Sequence, residues 1–205
     1  MWSWMQDEEK VEIVQHARNL FEHVFMQERA GIVVVRRAAC LYQTACLMVA
    51  GAKKGRRLMP QAGTAAWPRL DIECFPDDPH THFAYEWQGS DDPLTRARAS
   101  AGLMPEMHIW AADMDSREII DITTRYAPEQ CIKQAKLPWK NSPPPDFFWG
   151  GVDDLPDYWM YKASLDAIEF IADDFAETIQ KIALVLKGYT LTDKGDFTTD
   201  TKEMT

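Results

Sequence analysis

The hydrophobic positions along this chain fall into blocks of different period. Between Asp7 and Met26, apolar residues recur at Val14, Ala17, Leu20, Phe21 and Val24, the spacing that lines one side of a helix. His16 and His23 on that segment read as ordinary surface histidines. Gly31 to Val35 is a β-branched run that reads as a short strand or a lead-in to the next element. From Arg37 to Ala50 nearly every position is apolar, which predicts a helix buried on all sides, with Gly51 as its stop.

The pattern then changes to strands. Residues 57–70, 81–88, 106–112 and 117–123, separated by Pro, Gly and Asp clusters, predict four of them. Residues 127–136 predict a short helix with Pro128 in its first turn. The run Pro143-Pro144-Pro145 predicts a long surface loop over 138–156, whose Trp139, Phe147, Phe148 and Trp149 suit packing over the body. Ile168, Ile171, Phe175, Ile179, Ile182 and Leu186 form the apolar stripe of a last helix over about 159–187. Past Gly188 the chain is rich in Thr, Asp and Lys, and 189–205 reads as a flexible tail. The expected fold class is α+β: one domain over 1–188, with helices packed against an antiparallel sheet and a core over about 31–136.

Composition narrows the function. The chain has 205 residues, 46% of them hydrophobic and 26% charged, which suits one globular domain. Its formal net charge of −10 argues against nucleic acid, because phosphate binding needs a basic face. The basic clusters are short (Arg36-Arg37, and Lys53-Lys54 with Arg56-Arg57) and read as solvated helix ends. No apolar run approaches the roughly 18 residues of a membrane span, so no membrane contact is expected. The acidic start lacks the basic and apolar regions of a signal peptide. The four cysteines have no CxxC spacing, so free thiols and a cytoplasmic location are expected.

The most informative stretch runs from Met107 to Thr123. With Asp113-Met114-Asp115-Ser116 as the turn, Ala112 pairs with Arg117, Ile109 opposes Ile120, and Met107 opposes Ile122. One face of this hairpin is then uniformly apolar. On the other face Trp110 opposes Ile119 and His108 opposes Asp121, at a separation that lets the carboxylate accept an imidazole N–H. A histidine oriented by an aspartate is half of a nucleophilic triad. Among the thiols, Cys40 is the candidate nucleophile: it lies near the start of a buried helix, where free N–H groups favour a thiolate. Cys46, further along, reads as packed core, and Cys74 and Cys131 as loop or surface residues.

Cys40 followed by Ala45, then Gly63 to Trp67, then His108-Ile109-Trp110 and Asp121-Ile122-Thr123, resembles the core of the transglutaminase-like, papain-like cysteine protease superfamily. That superfamily includes lasso-peptide leader proteases and many bacterial cysteine proteases. The resemblance covers about residues 37–124. It implies that Cys40 attacks an amide carbonyl of a peptide or protein, that His108 moves the proton and that Asp121 orients His108, with no cofactor. The Cys40 backbone N–H is one expected oxyanion donor, with Gln27 and Gln43 as candidates for a second. The acidic surface at Asp77, Asp78, Asp91, Asp92, Asp153, Asp154 and Asp157 points to a basic or neutral substrate or to plain solvation. Two other readings stand beside the enzyme. One is a binding or assembly module on the same fold, with residues 139–159 as its contact surface. The other is a zinc site built from Cys74, His80 and His82, with His108 as a fourth ligand.

Overall fold

The computed structural model describes residues 7–26, 39–74, 80–101, 103–191 and 197–199. The expected strand over Gly31–Val35, the first residues of the second helix, Gln27, Arg36-Arg37 and Asp77-Asp78 lie outside them.

Two helices open the fold. Helix α1 (Glu8–Phe21) starts where the Asp7 carboxylate accepts from the Lys10 amide, and it continues into a π turn over Glu22–Met26. Its apolar stripe buries Ile13, Val14, Ala17 and Leu20. Helix α2 (Ala39–Lys53) is the all-apolar segment, and it buries residues around its girth as the pattern requires. It does not stop at Gly51. Leu58 packs so closely there that an added Cβ would sit 2.6 Å from its Cδ1. The stop comes at Gly55, whose φ of 77° allows Arg56 N to reach the Gly51 carbonyl and Gly55 N the Ala52 carbonyl, a Schellman closure.

The sheet follows. Strands β1 (Leu58–Pro68), β2 (His82–Tyr85), β3 (His108–Asp113), β4 (Ile119–Asp121) and β5 (Phe148–Gly150) run in the order β2-β1-β3-β4-β5. A sixth strand, β6 (Met160–Ala163), pairs with β1. Every pairing is antiparallel. Helix α3 (Pro93–Ser100), capped by Asp92 with Pro93 in its first turn, has too weak an apolar pattern to be expected. Helix α4 (Ala127–Gln130) runs into a π turn over Cys131–Ala135, close to the short helix expected there. Helix α5 (Leu165–Leu186) is capped by Ser164 and buries Ala167, Ile171, Phe175, Thr178 and Ile182. Tyr189–Leu191 and Phe197–Thr199 form strands β7 and β8 of a two-stranded ribbon, in a stretch where hydropathy alone predicts no element.

Two expectations are corrected here. The loop over 138–156 contains β5, whose Phe148 and Trp149 are fully buried against β4 and the core. The last helix begins at Leu165 rather than Trp159, because Met160–Ala163 joins the sheet first. Strand residues of opposite parity serve two separate cores. Ala62, Ile109, Ala111 and Ile120 face the layer of α1, α2 and α5. Ala65, Trp67 and Phe83 face the other way, with Ala127, Cys131, Trp159 and Tyr161. Helices against a mostly antiparallel sheet make an α+β fold, and no helix among the described residues is long and apolar enough to cross a membrane.

Gly63 is where three strands meet. It pairs with His108 of β3 and with Ala163 of β6, and its φ is 153°. A Cβ there would lie 2.2 Å from the Lys162 carbonyl oxygen, and backbone cannot rotate aside as a side chain can. Gly63→Ala is therefore expected to destabilise the fold by about 2 kcal/mol or more, read as a lower urea midpoint with β6 as the first element to lose amide protection.

Candidate active site

The hairpin of β3 and β4 brings His108 and Asp121 together, in a register two residues from the expected one. Ala111 pairs with Ile120 and Ala112 with Ile119. Asp113 belongs to the strand rather than the turn: it is buried, its Oδ1 accepts from the amides of Asp115 and Ser116, and its Oδ2 meets Arg56. The turn is Met114 to Arg117, with Arg117 at a φ of 61°. A two-residue shift preserves which side chains share a face. Continued, it sets Trp110 across from Asp121, so His108 reaches the carboxylate along the diagonal, a neighbour position long side chains can span. His108 Nε2 lies 2.7 Å from Asp121 Oδ2.

Asp121 is 1% exposed, and each oxygen has two donors. Oδ2 accepts from His108 Nε2 and from the Tyr161 hydroxyl, both at 2.7 Å. Oδ1 accepts from the Thr123 amide at 2.8 Å and the Thr123 hydroxyl at 2.6 Å, a local turn that the Asp-x-Thr spacing permits. Burial alone would raise the carboxyl's pKa. The neighbouring His108 and the Thr123 donors outweigh it and hold the pKa below the usual aspartate value. With Asp121 ionised and Tyr161 donating, the imidazole carries its proton on Nε2. In the neutral form of the ring Nδ1 is then the acceptor, and Nδ1 makes no hydrogen bond among the described residues.

Aromatic rings box the imidazole. Tyr85 and Trp110 lie near-parallel to it, with centroids at 5.7 and 6.1 Å, and Trp67 meets it edge-on at 5.0 Å. The box takes one ring each from β1, β2, β3 and β6, since Tyr161 stands 6.3 Å away. Trp149, by contrast, belongs to the far side, where Lys10 and Arg56 lie over its ring.

Cys40 sits in the first turn of α2, near enough to the backbone of Ile109, next to His108 in the chain, for that amide to favour the ionised sulfur. Burial pushes the thiol up to about 11, against the opposing pull of the Ile109, Leu41 and Cys40 amides. The expected thiolate is thus absent at rest, because desolvation exceeds what the helix start supplies. No hydrogen bond joins this thiol to the His108 ring among the described residues. Gln43 is buried one turn further along α2. Cys46 is core, as expected. Cys131 is not a surface residue: it is buried, with its thiol 3.4 Å from the Leu137 carbonyl.

The zinc constellation does not assemble. Cys74 bonds to Asp71, His82 is held between the Thr81 hydroxyl and the Tyr158 carbonyl, and His108 is committed to Asp121. Among the described residues no three His, Cys, Asp or Glu side chains gather as a metal site would need. Two of the acidic surface residues have local duties instead: Asp92 caps α3, and Asp154 accepts from the Gly151 amide. Tyr161 is the site residue that sequence reasoning missed. The available signal was Ser164, a helix cap that places Tyr161 before the helix rather than in it.

Compared with known proteins, the chain matches no family model, no curated protein and no solved structure.

The depressed Asp121 pKa fixes the sign of a pH effect. An aspartate whose folded pKa lies below its unfolded value stabilises the fold above about pH 4, and that contribution fades as pH falls through the folded pKa. Asp121→Asn is expected to lose about 3 kcal/mol at pH 7, because His108 and Tyr161 lose their ionised acceptor. It should also flatten the loss of stability between pH 5 and 2, as urea unfolding across that range will show.

Proposed function

We propose that this chain is a thiol-dependent hydrolase or acyltransferase acting on amide bonds of a peptide or protein, with Cys40 as nucleophile, His108 as base and Asp121 as its orienting carboxylate. The observation that carries the reading is the state of His108: Nε2 held by Asp121 at 2.7 Å, Nδ1 left as an unused acceptor, and the Cys40 sulfur against the next backbone amide. A thiol near 11 is a poor nucleophile until a base takes its proton, and Nδ1 is the base on offer. In this reading the reaction starts when the Cys40 thiol gives its proton to Nδ1.

Sulfur then bonds to the carbonyl carbon as its proton passes to Nδ1. The carbon–nitrogen bond breaks, and that proton leaves on the departing amine. Water or a second amine attacks the thioester, again deprotonated by His108, and regenerates the thiol. The helix-start amides of Cys40 and Leu41, which have no partner within the helix, supply donors for the oxyanion, with Gln43 as the side-chain candidate. A helix opening on Cys40, followed by adjacent strands carrying His108 and Asp121, supports a transglutaminase-like core. Four free thiols support a reducing, cytoplasmic setting.

One observation favours a second reading. A protonated, half-buried thiol with no imidazole bond suits a non-catalytic binding module on the same fold. Thiol labelling separates the two. For the enzyme, iodoacetamide at pH 6–7 should alkylate Cys40 ahead of the exposed Cys74, and His108→Ala should slow that labelling by about 10² or more. Labelling of Cys74 ahead of Cys40, with Cys40 unaffected by His108→Ala, would support the binding module instead.

A further inference from the structure

Asp121 Oδ2 has two donors and only one of them is the imidazole. The second comes from outside the hairpin. Tyr161 lies on β6, which β1 carries into place with Tyr161 across from Ala65, a fully buried small residue. Its hydroxyl sits 2.7 Å from Oδ2, the same distance as His108 Nε2. Burial first, and then the adjacent Asp121 charge, raise the phenol's pKa well above its ordinary value, so it keeps its proton and donates it.

We infer that Tyr161 is a positioning residue that sets the proton affinity of His108 through the shared oxygen of Asp121. A carboxylate stabilises an imidazolium in proportion to the charge and the lone pairs it can aim at the N–H. The phenol takes one lone pair of Oδ2 and part of its charge. His108 therefore holds a proton less tightly than it would beside an undivided aspartate. That favours a neutral ring with Nδ1 open, the state that can accept a proton from a thiol. Donation to Oδ2 also fixes the carboxylate plane, since Thr123 pins Oδ1 from the other side.

The other groups facing the pair do not share this position. Tyr85 on β2 stacks on the imidazole face, Trp67 on β1 meets its edge, and Cys40 on α2 lies by Ile109. Glu106, just before β3, acts on Tyr85. Among the described residues only His108 and Tyr161 donate to Oδ2.

The test is the titration of the His108 ring, followed by NMR in the full-length protein. Tyr161→Phe should move the midpoint upward by about one pH unit, a tenfold gain in proton affinity. Tyr161→3-fluorotyrosine, a stronger donor of the same shape, should move it downward. Tyr85→Phe removes a hydroxyl that does not touch Asp121 and should shift the midpoint by less than a third as much. A folded Tyr161→Phe protein with an unmoved midpoint, or an equal shift from Tyr85→Phe, would overturn the inference. If Tyr161→Phe does not fold, the fluorotyrosine protein decides alone, and no downward shift overturns it. A second arm rests on the thiol-enzyme reading: the acid limb of Cys40 alkylation should follow the NMR midpoint. Failure of that arm with the NMR shifts intact counts against the enzyme, not against Tyr161.

Discussion

A carboxylate taken out of water costs several kcal/mol unless donors replace its hydration shell. Asp121 meets that demand with four: an imidazole, a phenol, a hydroxyl and a backbone amide. They come from β3, from the turn after β4, and from β6. No one strand could move without stranding a charge, so the register of the sheet around the site is set by electrostatics as much as by packing. The pair of β1 with both β3 and β6 matters for this reason, because it holds the phenol and the imidazole on the same oxygen.

The two-sided sheet divides the labour. One face supplies ordinary cohesion through α1, α2 and α5, with a mainly aliphatic core that also takes in Phe148, Trp149 and Phe175. The opposite face is lined by rings and by the polar pair. Gly63 serves both, since its missing side chain lets β6 cross close enough to β1 for Tyr161 to arrive. Cys40 approaches from the helical side at the start of β3, near the backbone of Ile109.

The hairpin was legible because a period of two is robust. Met107, Ile109, Ile120 and Ile122 share the buried face whether or not the register slips by two, and His108 and Asp121 share the other. The slip itself was not legible. Asp113 has turn chemistry, yet it serves the turn from the strand while pairing with Arg56, a partner far away in sequence. Strands β5 and β6 were missed because each has three or four residues beside a proline-rich run or a helix, too short to show a period. Tyr161 was missed along with β6. The acidity of Cys40 was misjudged for a different reason: a helix start is visible in sequence, whereas the depth of burial that outweighs it comes from the tertiary fold.

That depth of burial carries a further meaning for the chain's chemistry in a cell. Peroxides and disulfides react with the ionised sulfur, and a thiol near 11 is ionised in roughly one molecule per ten thousand at neutral pH. At neutral pH its sulfur therefore stands almost wholly as the thiol, and its reactivity waits on a base. Desolvation alone, without a disulfide, holds such a sulfur in that form.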